Sequence, residues 1–158
     1  MANNRDNNLW NSFEFSLIFN KKLNKNWICN SIEIDSRKIK PGSIFFAMPG
    51  TKLDGHNFLL DAIKLGAESI IIKKKFKTKI DNYEFIEVDD VHESLNLLAK
   101  ASRKRINNSK NIIAITGSSG KTSTKEMIGK AFTNLGLSYM NPESYNNHVG
   151  VPYSLANM

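Results

Sequence analysis

The spacing of apolar residues divides the 158-residue chain into short alternating segments and helical ones. Phe13-Glu14-Phe15-Ser16-Leu17-Ile18-Phe19 is apolar enough for a short helix or a strand, and the pattern does not choose between them. From Trp27 to Asp35 apolar and polar residues alternate, with Ile28, Ile32 and Ile34 among polar neighbours, and Pro41-Gly42 turns the chain into Ser43-Ile44-Phe45-Phe46-Ala47-Met48. Two strands around a polar turn are expected. Phe58, Leu59, Ala62, Ile63 and Leu65 then recur at helical spacing, and Gly66 stops the run as a C-cap would. Ser69 to Ile72 reads as a buried strand and Phe85 to Val88 as another. Asp89 or Asp90 is placed to N-cap a helix carrying Leu95, Leu97, Leu98 and Ala99 up to Arg105. Residues 1–107 therefore read as a small mixed-sheet α/β domain.

Ile106 to Asn111 is polar and Asn-rich, as a linker is. A second unit, 108–158, opens with the buried-strand type run Asn111 to Thr116. It continues through Gly117-Ser118-Ser119-Gly120-Lys121-Thr122-Ser123 into a helix bearing Met127, Ile128, Ala131, Phe132 and Leu135, which Gly136 ends. Val151 to Met158 reads as a further helix. The fold class is α/β: a mixed-sheet domain followed by the start of a phosphate-loop domain.

Composition changes little in this picture. At 41% hydrophobic and 23% charged residues the chain is too apolar for disorder. No apolar run approaches the ~18–20 residues of a membrane span, and the amino end lacks the apolar stretch of a secretory signal, so a cytoplasmic protein without membrane insertion is expected. The single Cys29 forms no internal disulfide and suits a small buried apolar position. The net charge of +7 points to polyanionic partners, phosphate-bearing ligands among them. The densest run, Lys73 to Lys79, has no aromatic interleaving beyond Phe76 and reads as a solvated strand end and loop; no nucleic-acid partner is expected.

The chemistry concentrates in Gly117 to Ser123. Glycines let successive backbone N–H groups turn inward around a phosphate, and the following helix directs its positive end there. Lys121 is placed to reach the outer phosphates, and the Thr122 hydroxyl to ligate Mg²⁺. Ile115 stands where the longer pattern G-x-x-x-x-G-K-[ST] requires glycine, so the motif is the shorter G-x-x-G-K-T. A nucleoside triphosphate with Mg²⁺ is the ligand these residues suit. The other stretches are less specific. Arg37, beside Asp35 and Ser36, either clamps a diphosphate or uracil or forms an Asp-x-Arg surface pair. Asp54-Gly55-His56 is a turn and helix entry, or part of a site. Asn146-Asn147 suits a sugar or pyrophosphate, yet adjacent Asn residues are common in turns. His92 and His148 share no metal-ligand spacing with a Cys or carboxylate.

Thr116-Gly-Ser-Ser-Gly-Lys-Thr-Ser-Thr-Lys-Glu-Met127 resembles the phosphate loop of the Mur ligases, the ATP-dependent amino-acid and peptide ligases of peptidoglycan precursor synthesis. Asp35-Ser36-Arg37, Pro41-Gly42, Phe45-Phe46-Ala47 and Asp54-Gly55-His56 are similar to the family's uridine-nucleotide domain. Asn146-Asn147-His148-Val149-Gly150-Val151-Pro152 is similar to its substrate loop. The Thr-Lys-Glu-Met continuation is most similar to the member that adds D-alanyl-D-alanine to UDP-N-acetylmuramoyl-tripeptide. The resemblance implies that activity, through an acyl phosphate, in a full-length enzyme expected to be monomeric. It implies Ser36, Arg37, His56, Asn146 and Asn147 as substrate-binding residues, ATP and Mg²⁺ as cofactors, Gly117 to Ser123 as the nucleotide site with Thr122 on the metal, and Lys121 as catalytic. The alternatives are the neighbouring ligase that adds the third stem amino acid and a non-catalytic UDP-sugar-binding module. After Lys121 the only acids are Glu126, in the helix, and Glu143, in a loop, so the strand-end acidic Mg²⁺ ligand of a phosphate-loop ATPase is missing. The chain is accordingly expected to be the amino-terminal part of a ligase and inactive by itself.

Overall fold

The computed structural model describes residues 8–51, 53–81, 83–106, 112–133, 135, 139–141 and 147–158. Its centre is a four-stranded parallel sheet in the order β3-β4-β5-β6, built from Ser31–Glu33 (β3), Ser43–Phe46 (β4), Ala67–Lys73 (β5) and Phe85–Val88 (β6). A separate antiparallel pair, Trp10–Asn11 (β1) and Ile28–Cys29 (β2), lies beside it. The helices are Ser12–Phe19 (α1), Leu59–Lys64 (α2), Val91–Arg105 (α3), Lys121–Thr133 (α4) and Gly150–Ala156 (α5).

Alternation along each strand sorts its side chains to two faces. Ile32, Ile44, Phe46, Ile71, Ile86 and Val88 face a core completed by Trp10, Phe15, Trp27, Leu95, Leu98, Tyr153 and Ala156. Phe45, Ala47, Ile70 and Ile72 face the opposite core, closed by Ile39, Leu59 and Ala62. Both faces are covered, which is why β4 is buried at every position and reads as an unbroken apolar run.

The segment Phe13 to Phe19, open between helix and strand in the sequence, is helical because Asn11 and Glu14 form a capping box. The Glu14 N–H donates to Asn11 Oδ1 at 2.9 Å and the Asn11 N–H to Glu14 Oε2 at 3.0 Å. The alternating run 27–35 is two strands rather than one. Trp27 and Cys29 are buried and Ile28 is exposed, whereas Ile32 is buried two residues after Asn30, so the parity flips as the chain leaves the β1 pair for the main sheet. β3 and β4 run parallel, because residues 34–42 return the chain to the starting end of β3 through a 3₁₀ turn at Ser36–Lys38.

The expected strand at 111–116 is not formed among the described residues 112–116. A strand exists through its ladder partners. No described strand pairs with this segment, and Ile112 and Ile113 remain 40% and 52% exposed. α4 follows with none of its residues buried. The expected helix end at Gly136 lies outside the described residues.

Candidate functional site

In a parallel sheet all strands deliver their following loops to one edge, and ligands gather there. At this edge β3 leads into Asp35-Ser36-Arg37, β4 into the loop 47–56, β5 into Lys74 and β6 into Asp89 and Asp90.

Arg37 extends into solvent, with its side chain 86% exposed, and meets Asp35 in a two-pronged contact: Nε donates to Oδ1 at 2.9 Å and Nη2 to Oδ2 at 2.7 Å. The Asp35 carboxylate also accepts from the Arg37 backbone N–H at 3.1 Å. These hydrogen bonds from Arg37 hold the Asp35 carboxyl below its usual range. Ser36 starts the short 3₁₀ turn that carries this pair.

His56 behaves differently. It is 6% exposed, and both ring nitrogens are engaged within the protein. The backbone N–H of Lys73 donates to Nε2 at 3.0 Å, so Nε2 carries no proton; Nδ1 holds it and donates to Asp54 Oδ1 at 2.7 Å. Phe76 stacks against the ring at 4.5 Å. Burial alone would raise the Asp54 carboxyl, but the hydrogen bonds from the His56 backbone and ring bring it below its ordinary value. The intervening Gly55 permits the fold-back, since a Cβ there would stand 2.6 Å from the Met48 nitrogen. His56 thus fastens the loop 47–56 to the end of β5.

The second group of residues lies in the loop before α4. Gly117 and Gly120 adopt φ of +150° and +75°, conformations that glycine tolerates and other residues resist. A Cβ at Gly120 would meet no atom within 4 Å, which leaves room above the loop. Ser118 and Ser119 are exposed, and the Lys121 ammonium donates to the Gly117 carbonyl, holding the charge across the loop mouth. Thr122 and Ser123 occupy the first turn of α4, where backbone N–H groups and the helix dipole favour an anion. An open glycine loop, a helix start and an ammonium together fit a polyphosphate. The first turn also carries the Thr122 hydroxyl, a single oxygen, and among the described residues no three His, Cys, Asp or Glu side chains are grouped to hold a metal.

Asn147 closes the turn that leads into α5: its Oδ1 accepts from the N–H groups of Val149 at 3.1 Å and Gly150 at 2.7 Å. Asn146, Glu143, Ser144 and Tyr145 lie outside the described residues. α5 itself docks on the first unit. Trp10 Nε1 donates to the Ala156 carbonyl at 2.8 Å and Ser102 Oγ to that of Met158 at 3.1 Å. Sequence reasoning missed Tyr153 and Asn157, which hydrogen-bond to Glu33 and Ile32 of β3; their i, i+4 spacing was the available signal.

Two family models match the chain from residue 29 onward. Residues 29–111 match the one described as Mur ligase family, catalytic domain, and residues 115–158 the one described as Mur ligase middle domain. This chain belongs to the Mur ligase family. Among its Mur ligase relatives, the UDP-N-acetylmuramoyl-tripeptide--D-alanyl-D-alanine ligase of Rickettsia prowazekii (strain Madrid E) is 33% identical over 150 residues, 95% of this chain and 32% of that protein. The UDP-N-acetylmuramoyl-L-alanyl-D-glutamate--2,6-diaminopimelate ligase of Fusobacterium nucleatum is 37% identical over 123 residues, 78% of this chain and 25% of that protein. A crystal structure of MurF from Acinetobacter baumannii superposes with a TM-score of 0.74 at 28% identity, over 94% of this chain and 33% of that one. MurF ligase from Thermotoga maritima in complex with ADP gives 0.59 at 32% identity, over 80% and 29% respectively. The chain thus spans about a third or less of the length of the relatives it matches.

Proposed function

We propose that this Mur ligase chain contributes the UDP-substrate site and the phosphate loop of an ATP-dependent peptide ligase that joins D-alanyl-D-alanine to UDP-N-acetylmuramoyl-tripeptide. Residues 1–107 carry the UDP substrate at the carboxyl edge of the parallel sheet, and residues 108–158 begin the ATP unit. The observation that carries this reading is the Lys121 ammonium held on the Gly117 carbonyl at the open mouth of a glycine loop, in a chain similar to D-alanyl-D-alanine-adding ligases over most of its length. The ADP held by the Thermotoga maritima relative supports the nucleotide.

In the proposed reaction a carboxylate oxygen of the tripeptide attacks the γ-phosphorus of ATP, the bond to ADP breaks, and an acyl phosphate forms. The amine of D-alanyl-D-alanine then attacks the acyl carbon, phosphate leaves with the C–O electron pair, and the amine proton passes to solvent. Lys121 and the loop N–H groups stabilise the charge that develops on the transferred phosphoryl group. Mg²⁺, when bound, supplies neutralisation of the phosphate oxygens, and Thr122 is its ligand in this stretch. Arg37 is the substrate clamp, its guanidinium exchanging Asp35 for a diphosphate. His56 serves that site by fixing the loop beside it. No helix among the described residues is long and apolar enough to cross a membrane, and a cytoplasmic reaction is proposed.

The test is phosphate release by the enzyme that carries this chain, given ATP, Mg²⁺ and UDP-N-acetylmuramoyl-tripeptide. Release that depends on D-alanyl-D-alanine supports the assignment. Release with UDP-N-acetylmuramoyl-L-alanyl-D-glutamate and diaminopimelate instead transfers it to the neighbouring ligase, the reading that similarity to the Fusobacterium nucleatum protein favours. Lys121→Ala should abolish turnover while leaving UDP-substrate binding nearly intact.

A further inference from the structure

β3 is an edge strand of the parallel sheet, and its open side is occupied by α5 rather than by another strand. The Asn157 side chain behaves there as a substitute peptide group. The Ile32 N–H donates to Asn157 Oδ1 at 2.8 Å, and Asn157 Nδ2 donates to the Ile32 carbonyl at 3.0 Å. One helical turn earlier, Tyr153 OH donates to Glu33 Oε2 at 3.1 Å. Because Tyr153 meets the last residue of β3 and Asn157 the residue before it, α5 runs antiparallel to the strand. Its amino end, with Asn147 and His148, therefore points to the carboxyl edge of the sheet.

A second observation places that end independently. The ring of His148 lies 6.1 Å from that of His92, in the first turn of α3 just after β6. The loop 147–149 is thus fixed from both sides, at the edge where Asp35-Ser36-Arg37 and the His56 loop emerge. The tie is well seated: Tyr153 is 6% exposed and Ala156 fully buried in the core shared with β3, β4 and α3.

We infer that Tyr153 and Asn157 are positioning residues that hold the Asn147-His148 loop against the ligand edge of the sheet, so that both family regions face one uridine-diphosphate substrate. The inference rests on the UDP-substrate reading of that edge. Neither residue touches the ligand; they act by fixing α5 on β3. Tyr153→Phe removes only the hydroxyl and leaves the ring packing, and Asn157→Ala removes the substitute peptide group.

Amide hydrogen exchange of this chain, with and without UDP-N-acetylmuramoyl-tripeptide, tests the inference. In the wild type the ligand should slow exchange at residues 35–37 and also at Val149, Gly150 and Val151. In Asn157→Ala and in Tyr153→Phe the slowing should persist at 35–37, vanish or fall sharply at 149–151, and be accompanied by affinity lower by about fivefold, the scale of one lost hydrogen bond. A purely structural role would lower the melting temperature without changing which amides the ligand protects. Wild-type protection at 35–37 without any at 149–151 overturns the inference alone. Protection at neither place overturns the UDP-substrate reading and the inference with it. Should Asn157→Ala fail to fold, Tyr153→Phe and the wild-type pattern decide.

Discussion

The sheet unit and the phosphate-loop helix hold their residues in opposite ways. Ile71 and Phe46 are completely buried between packed layers, whereas α4 has no buried residue and leaves Met127 71% exposed. Both segments carry apolar residues in the sequence, as continuous runs in the strands and at helical spacing in α4. What differs is the number of partners: β4 and β5, which carry Phe46 and Ile71, have strand neighbours on both edges and packed layers on both faces, whereas among the described residues α4 is met by 139–141, where Lys125 Nζ donates to the Asn141 carbonyl at 2.9 Å. Apolar pattern specifies a face, and tertiary partners decide whether that face is buried.

Core substitution should expose this contrast most strongly. Ile71→Ala, at a site with no exposed surface, is expected to cost ~2–5 kcal/mol in urea unfolding. Met127→Ala should change stability by no more than about 0.5 kcal/mol. Equal effects would mean that α4 is packed as well as the sheet. Next in size is His56→Ala, which removes a buried ring together with its hydrogen bonds to Asp54 and the Lys73 N–H and should cost ~1–3 kcal/mol. Loss of the two hydrogen bonds that the Asn147 side chain accepts should cost ~0.5–2 kcal/mol in Asn147→Ala. That loss should appear as faster amide exchange along α5, with β5 unaffected.

The smallest effect is a pH signature within the sheet unit. Burial raises the Glu33 carboxyl above its ordinary value, and the hydrogen bond from Tyr153 offsets this only in part. A raised folded-state pKa means that the carboxyl favours folding below its unfolded value, and that this contribution is lost as pH rises through the folded value. Glu33→Gln keeps an acceptor for Tyr153, so it should raise the melting temperature slightly at pH 7. The difference should shrink on acidification below the unfolded value of about 4.3. Asp54 has the opposite sign: its lowered pKa supports folding above the unfolded value, and that support fades as pH falls through the folded one. A variant Glu33→Gln less stable than wild type at pH 7 would contradict the burial assigned to Glu33.

The sheet elements were legible because they obey local rules. Ser69 to Ile72 is a continuous apolar run between two turn signals, and Asp90 caps α3 as its position suggests, with Oδ1 accepting from the Glu93 N–H at 2.9 Å. The glycine loop before α4 was legible as a short motif, and its Gly117 and Gly120 adopt the positive φ that such a turn requires. Ile112 to Thr116 was misread because a strand requires partners that no local pattern supplies. Asn157 was overlooked because an amide that substitutes for a strand looks, in sequence, like any helix-end Asn. His56 illustrates a further limit. Its residue type suits a ligand contact, but the groups that engage it, Asp54 and the Lys73 N–H, include a backbone donor seventeen positions away.

The central claim is that two ligands bind at two separate places, UDP substrate at the sheet edge near Arg37 and adenine nucleotide at the loop of Lys121. Calorimetric titration of wild type, Arg37→Ala and Lys121→Ala with UDP-N-acetylmuramoyl-tripeptide and with ADP tests it most directly. The account predicts that Arg37→Ala weakens UDP-substrate binding by ~1.5–3 kcal/mol and leaves ADP unaffected, with the reverse for Lys121→Ala. Loss of both ligands in either variant, or unchanged UDP-substrate affinity in Arg37→Ala, would contradict it.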